Sequence, residues 1–246
     1  MPKIYLSPST QDWNMYVTNS GSEEYNMNRL ADALVPYLRA NGIQYRRNRP
    51  EMTAGSSIRE ANGGTYDFYL ALHSNAAPEG RYGQARGIIA FYYPGSAAGE
   101  RAAELIAENL RDIYPLPDKV TTRSTTSLGE VRQPRFPSVL AEIGYHDNYA
   151  DAVWVEGHLD AIAQQIARAL TEYFGLPFIY PMDPVRGTVR VSDGTLNLRE
   201  RPSPEGRVIA SLPNGADVPV YGEWEGWYVV HYGDQVGYAA AAYIDT

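Results

Sequence analysis

The chain has 246 residues, of which 44% are hydrophobic and 20% are charged, so it is long enough for one or two domains with a packed core. Its net charge of −8 argues against nucleic acid or an anionic membrane as the main partner, because both favour clustered Lys and Arg. The absence of cysteine excludes disulfides and thiolate metal ligands. No apolar run approaches the roughly 18 residues of a membrane-spanning helix, and the N-terminus lacks the apolar core of a signal peptide.

Predicted strands and helices alternate through the first 175 residues. A buried strand at 3–7 is followed by a polar loop, and the apolar spacing between Met27 and Leu38 predicts a helix. Further strands are predicted at 43–47, 66–73, 87–93 and 139–143, with helices at 56–62 and 98–114 and one ending at Phe174; residues 115–137 are predicted to be a loop with room for one short helix. This alternation predicts an α/β fold, a mostly parallel twisted sheet with helices on both faces.

The character of the sequence changes after Gly175. Residues 177–186 contain three prolines, which suits a semi-stiff linker. Residues 187–246 consist of short β-like runs separated by turn signals such as Asp193-Gly194 and Asn214-Gly215, a pattern typical of a small β-barrel. We therefore expect a first domain at 1–176 and a second at 187–246.

Two predicted strands carry residues with catalytic chemistry. His73 ends one apolar strand, and Glu142 lies in another. Open α/β sheets form their ligand sites at the carboxyl edge of the strands, and a histidine with a glutamate there suits a metal hydrolase. Each residue alone also has a structural interpretation, a core histidine bonded to backbone or a buried ion-pair partner. The two together favour a site.

The second region resembles the bacterial SH3 domains appended to cell-wall enzymes. The matching segments are Gly194 to Pro202, Leu212-Pro213-Asn214-Gly215, Gly226-Trp227-Tyr228-Val229-Val230 and Gly237-Tyr238-Ala239. The resemblance implies binding to peptidoglycan or to an associated domain. The competing interpretation is that Trp224, Trp227 and Tyr228 are ordinary core and strand aromatics.

The first region resembles the zinc-dependent N-acetylmuramoyl-L-alanine amidases. The resemblance rests on an opening strand that leads into Ser7-Pro8-Ser9-Thr10-Gln11, an acidic pair Glu23-Glu24 at a helix start, the segment Leu72-His73-Ser74-Asn75-Ala76, and the segment from Leu140 to Asn148. It implies hydrolysis of the amide bond between N-acetylmuramic acid and L-alanine in peptidoglycan, with Zn²⁺ as cofactor. It also implies action at the bacterial cell wall, as a secreted autolysin or a phage-type endolysin. The sequence contains no signal peptide and does not decide between these two routes.

The resemblance also implies roles for single residues. His73 would be a metal ligand, Glu142 the general base and acid, and Asn75 a residue that orients the site. Glu23 is favoured over Glu24 as the acidic ligand, because counting back along the apolar helix face reaches Glu23 without a gap. The alternative for Glu23 is helix capping, since Ser20-Gly21-Ser22-Glu23 fits a capping box.

The largest departure from the family pattern is the absence of its first histidine. The strict register puts Thr10 there, and a shift of one residue puts Gln11 there. Three alternatives follow: Gln11 replaces the histidine as a weaker ligand, His146 reaches in, or the site binds metal poorly. The last alternative predicts a wall-binding protein with a degenerate catalytic domain. Beside an amidase and a degenerate wall-binding protein, the third hypothesis for the function is a metal-dependent hydrolase that cuts another amide.

Gly87, which opens a predicted strand, is a candidate for close approach of a peptide backbone.

Overall fold

The computed structural model describes residues 1–246 and divides into two compact units. The larger unit contains Lys3–Leu34 and Tyr45–Tyr173, and the smaller unit contains Met1–Pro2, Val35–Gln44 and Phe174–Thr246. None of the helices combines the length and the apolar character that a membrane span requires.

The larger unit is built around a six-stranded sheet. The elements up to residue 174 are β1 (Lys3–Pro8), α1 (Glu23–Ala40), β2 (Gln44–Arg47), α2 (Ala54–Asn62), β3 (Phe68–Asn75), β4 (Ile88–Tyr92), α3 (Ala97–Arg111), β5 (Val120–Ser124), α4 (Gly129–Arg132), β6 (Ser138–Tyr145), α5 (Tyr149–Gly157) and α6 (Leu159–Phe174). They belong to this unit except for the second part of α1 and the terminal residues Gln44 and Phe174. The strand order is β2-β1-β3-β6-β4-β5. Strand β4 is antiparallel to β6, whereas β1–β3, β3–β6 and β4–β5 are parallel pairs. The predicted mostly parallel sheet is confirmed.

Successive side chains of a strand point to opposite faces of the sheet. Because the central strands are apolar on both faces, helices cover both. One face packs against α2 and α4, in a cluster that contains Tyr5, Ile58, Ala61, Tyr69, Ala71, Val131 and Leu140. Phe68 points the other way, and its ring lies 5.2 Å from that of Tyr173 in α6. Even-numbered and odd-numbered positions of β3 therefore face different layers of helix.

The segment predicted as a loop, residues 115–137, contains the strand β5 as well as the short helix α4. Strand β5 pairs with β4 alone, at the edge of the sheet, and only its first residue, Val120, is buried. An edge strand that exposes Thr and Arg side chains has no apolar periodicity to detect.

The smaller unit holds an antiparallel sheet of seven strands. They are β7 (Val185–Val189), β8 (Thr195–Arg199), β9 (Val208–Pro213), β10 (Asp217–Trp224), β11 (Trp227–Tyr232), β12 (Gln235–Ala240) and β13 (Ile244–Asp245). Its core is formed by Val189, Leu196, Leu198, Leu212, Val218, Val220, Val230, Ala239 and Ile244, with Tyr228 packed against it. The predicted all-β region at the C-terminal end of the chain is confirmed, and its first strand begins at Val185.

Gly87, just before β4, is held against the backbone of a neighbouring segment. Its φ is +130°, and a Cβ atom there would lie 2.5 Å from the carbonyl oxygen of Lys119. The Gly87 N–H donates a hydrogen bond of 3.0 Å to Asp151. The backbone that approaches Gly87 closely is thus that of the protein's own chain.

We expect Gly87→Ala to lower the free energy of unfolding by about 3 kcal/mol or more, because strain at positive φ adds to the overlap with Lys119. Gly80 is the matched control, since its φ is also positive (+80°) but a Cβ atom there would have no other atom within 4 Å. Gly80→Ala should cost about 1–2 kcal/mol. Chemical unfolding measures both; equal losses would contradict the close approach.

Candidate active site

His73 and Glu142 lie side by side in the sheet. Strands β3 and β6 are parallel neighbours, and His73 is paired in register with Glu142. Both share the parity of Tyr69 and Leu140, so both face the side of the sheet covered by α2 and α4. Two residues that are far apart in the sequence are thus brought together by the main-chain pairing of the strands.

The His73 imidazole is clamped between two carboxylates. Its Nδ1 lies 2.8 Å from Oε1 of Glu23, and its Nε2 lies 2.9 Å from Oε2 of Glu130. All three side chains are buried. Burial by itself would lower the pKa of His73, but the hydrogen bonds to Glu130 and Glu23 raise this pKa well above its ordinary value of 6.5.

Glu23 reaches the site because it is the first residue of α1. Ser22 caps this helix, accepting a hydrogen bond of 3.1 Å from the Tyr25 N–H, so the Glu23 side chain is free to turn towards the sheet. Asn14 donates to its Oε2 at 2.8 Å. Burial raises the pKa of Glu23, but the hydrogen bond to His73 outweighs it and the net shift is downward.

Glu24 does not contact His73. Its Oε1 accepts a 3.3 Å hydrogen bond from Asn28, and the residue lines the neighbouring cleft. The structure therefore places Glu23 against His73 and Glu24 at the cleft wall.

Gln11 occupies the remaining side of this cluster. Its Nε2 lies 3.3 Å from Oε1 of Glu23 and 3.3 Å from Nδ1 of His73, while its Oε1 accepts from Asn14 at 3.0 Å. Thr10 lines the adjacent cleft instead. Of the two positions considered for the missing histidine, Gln11 is the one that meets both Glu23 and His73.

Glu142 is the least satisfied group of the site. Its Oε2 is buried and accepts no hydrogen bond. Burial raises the pKa of Glu142 to about 7; His73 lowers it, and the neighbouring Glu23 and Glu130 raise it further. A carboxyl with a pKa near neutrality is suited to taking up and releasing a proton at physiological pH.

The side chains of Asn75 and His146 form hydrogen bonds with backbone groups at the end of β3. Asn75 Oδ1 accepts a 2.8 Å hydrogen bond from the Ala76 N–H, at the end of β3. Nδ1 of His146 lies 3.0 Å from the carbonyl oxygen of Ser74, and its ring stacks on Tyr16 at 5.9 Å. His146 therefore supports the strand that carries His73 without joining the cluster.

Sequence reasoning missed Glu130 and Asp151. Glu130 lies in a polar segment where an acidic residue is normally solvated, and only the fold shows that α4 carries it beneath His73. Asp151 is fully buried, accepts from Tyr114 (2.6 Å) and pairs with Arg86 (2.8 Å). Asp151 lies in the first turn of α5, where acidic residues are common, so its sequence position did not indicate a buried ion pair.

A cleft of 640 Å³ opens onto His73. It is lined by Thr10, Gln11, Asp12, Trp13, Glu24, Pro50, Glu51, Met52, Thr53, Ala54 and His73. Trp13 is 69% exposed at this cleft, so its ring is available to a ligand. The dimensions suit a ligand larger than a single amino acid.

The chemical types of His73 and Glu23 suit a zinc ion, whereas Gln11 is a weak zinc ligand. Nδ1 of His73 and Oε1 of Glu23 converge at 2.8 Å, and the second nitrogen of His73 is tied to a carboxylate, as metal-bound histidines commonly are. The third neighbour, Gln11, is a neutral amide, and no group of three His, Asp or Glu side chains is disposed to hold a metal. An amide oxygen is a poorer zinc ligand than imidazole or carboxylate.

Comparison with known proteins extends over both units. Residues 11–172 match the N-acetylmuramoyl-L-alanine amidase family, and residues 194–245 match the bacterial SH3 domain family. No curated protein matches the chain.

Solved structures with a similar fold include an amidase and the catalytic domains of a second amidase and of an endolysin. The N-acetylmuramoyl-L-alanine amidase AmiC2 of Nostoc punctiforme has 16% identity and a TM-score of 0.62, over 71% of this chain and 97% of that one. The catalytic domain of CwlV from Bacillus (Paenibacillus) polymyxa var. colistinus has 16% identity and a TM-score of 0.62, over 72% and 100%. The catalytic domain of the CD27L endolysin, which targets Clostridia difficile, has 21% identity and a TM-score of 0.57, over 70% and 98%.

We expect Glu142→Gln to stabilise the zinc-free protein, increasingly so as the pH rises. The folded state holds the Glu142 proton up to a pKa of about 7, whereas the ordinary value is 4.5. The contribution of Glu142 to wild-type stability therefore falls between pH 4.5 and 7, while glutamine does not titrate. The difference should grow from near zero at acidic pH to at most about 3 kcal/mol above neutrality. Chemical unfolding with a chelator present measures it, and a difference independent of pH would contradict the buried carboxyl.

Proposed function

We propose, because the chain belongs to the N-acetylmuramoyl-L-alanine amidase family, that it hydrolyses the amide bond between the lactyl group of N-acetylmuramic acid and L-alanine in peptidoglycan. The observation that carries this proposal is the register pair of His73 and Glu142, with Glu23 against the His73 ring. In this proposal His73 and Glu23 are the ligand pair, and Glu142 beside them is the general base.

In the proposed mechanism His73, Glu23 and, more weakly, Gln11 would hold Zn²⁺. Zinc bound there would polarise the scissile carbonyl and make a water molecule more acidic. Glu23 and His73 are fixed for this task by Asn14 and Glu130, which bond the far sides of the two ligand groups.

Glu142 carries the proton in this mechanism. Its unpartnered carboxylate takes a proton from the attacking water, and the same proton then passes to the nitrogen of L-alanine as the C–N bond breaks. The products are a free lactyl carboxylate and a peptide with a new amino-terminal alanine. The pKa of about 7 suits both transfers, because a group near neutrality both accepts and releases protons readily.

We further propose that residues 1–176 carry catalysis, that residues 177–186 act as a linker, and that residues 187–246 bind the cell wall. The match of residues 194–245 to bacterial SH3 domains supports wall binding. Peptidoglycan is then both substrate and anchor, and the protein acts at the bacterial cell wall.

A second candidate function is wall binding by a protein whose amidase site is degenerate. The specific observation in its favour is Gln11, since a neutral amide stands against Glu23 and His73 where the family resemblance implies a histidine. This alternative predicts binding to cell walls with little or no turnover.

We expect zinc-loaded protein to release peptides with amino-terminal alanine from purified peptidoglycan, without new reducing sugar ends. Glu142→Gln should lower this rate by about 10²- to 10⁴-fold, because the proton acceptor is lost while the neutral carboxamide preserves the volume. End-group labelling followed by mass spectrometry identifies the bond that is cut.

The matched control for this assay is Glu24→Gln, which makes the same change at the cleft wall and leaves Glu23 and Glu142 intact. Its rate should stay far closer to wild type than that of Glu142→Gln. Equal rates for wild type and Glu142→Gln would sink the proposal, whereas wall binding without turnover by wild type would support the degenerate alternative.

We expect Gln11→His to tighten zinc binding by at least about tenfold, because an imidazole nitrogen replaces a weak amide ligand. Thr10→His introduces the same side chain one residue away, at a position that lines the cleft, and should change the affinity little. Competition with a chelating dye measures both dissociation constants. Tighter binding by Thr10→His than by Gln11→His would move the missing ligand position to residue 10.

A further inference from the structure

Glu130 is a buried carboxylate on the side of His73 that faces away from Glu23. The mechanism proposed above needs the Nδ1 lone pair of His73 to face Glu23 and Gln11. We infer that Glu130 is a positioning residue that holds the proton of the His73 ring on Nε2 and fixes the ring plane, so that Nδ1 is presented as a ligand. The inference deepens the proposed function and rests on it for the identity of the ligand atom.

The hydrogen bonds around Glu130 determine which atom carries the proton. Oε1 of Glu130 accepts from the hydroxyl groups of Ser7 (2.6 Å) and Tyr69 (2.7 Å). The Ser7 hydroxyl is free to donate there, because the Asn48 amide donates to the same Ser7 oxygen at 3.3 Å. Two donors on Oε1 favour the ionised carboxylate, and an ionised carboxylate only accepts hydrogen bonds, so at the Oε2 contact His73 Nε2 is the donor.

The packing of α4 keeps the Glu130 carboxylate in place. Val131, the next residue, belongs to the apolar cluster with Ile58 and Leu140, and its carbonyl oxygen accepts a 2.7 Å hydrogen bond from Ser138. Glu130 itself is only 5% exposed. A carboxylate fixed by packing on one side and by two hydroxyl groups on the other can hold the imidazole at a defined angle.

Glu23 competes with Glu130 for the single proton that the His73 ring keeps when it becomes neutral to bind a metal. Both carboxylates lie within 2.9 Å of a ring nitrogen, on opposite sides. If the proton of the neutral ring were on Nδ1, it would point at Glu23 and block the lone pair that a metal needs. Glu130 biases this choice towards Nε2, which makes Glu130 a condition for metal binding at Nδ1.

The test compares wild type with Glu130→Gln and with Arg132→Gln, a matched control because Arg132 is an exposed residue of the same short helix. Proton NMR of protein labelled with ¹⁵N-histidine follows the Nε2–H resonance, assigned by its loss in His73→Asn. Competition with a chelating dye gives the zinc dissociation constant of each variant.

We expect a slowly exchanging, downfield His73 Nε2–H resonance in wild type and in Arg132→Gln, and its shift or loss in Glu130→Gln. One amide oxygen cannot serve Ser7, Tyr69 and His73 together. The zinc dissociation constant of Glu130→Gln should rise by about 10- to 100-fold, with no comparable rise in Arg132→Gln.

If Glu130→Gln does not fold, Tyr69→Phe removes one of the two hydroxyl donors and leaves the carboxylate in place; it should shift the same resonance and weaken zinc binding to a smaller extent. An unchanged Nε2–H resonance and an unchanged zinc affinity in the folded variant would overturn the inference. If wild type bound no zinc but the resonance still depended on Glu130, the metal of the proposed function would fail while the role of Glu130 in holding the proton would stand.

Discussion

The structure of the site depends on one buried imidazole paired with two carboxylates. His73 connects Glu23 at the start of α1 with Glu130 in α4, so three distant segments meet at one ring. Glu142 adds a third acid, and its pKa is raised mainly by burial and further by the neighbouring carboxylates Glu23 and Glu130. An excess of buried acceptors is unfavourable unless donors or a cation compensate it. Asn14, Ser7 and Tyr69 provide the donors, and a divalent cation would provide the remaining positive charge.

Much of the fold was predictable because its central strands are strongly apolar. Strands β3 and β6 are buried over most of their length, and a run such as Phe68–Leu72 has few alternatives to a central strand. His73 and Glu142 are conspicuous against this background, since polar side chains in such strands need a partner or a function. Their proximity followed from the general rule that parallel strands present their carboxyl ends at one edge.

The parts that could not be predicted depend on tertiary contacts without a local pattern. Strand β5 has one-sided pairing and exposed polar side chains, so nothing in its sequence distinguishes it from a loop. Glu130 has the same local appearance as many solvated acids, and only the position of α4 beneath β3 gives it a partner. The choice between Glu23 and Glu24 likewise depends on how the first turn of α1 is oriented towards the sheet. The sequence does not determine this orientation, because it does not show which serine caps the helix; in the structure it is Ser22.

The register between His73 and Glu142 restricts where residues can be inserted into or deleted from this chain. Main-chain pairing fixes their separation, and alternation fixes their common face. One residue inserted within β3 ahead of His73 would turn its side chain to the opposite layer of helices, towards the face where Phe68 meets α6. Insertions or deletions should therefore be tolerated in the exposed connection between β3 and β4 and selected against inside β3 and β6.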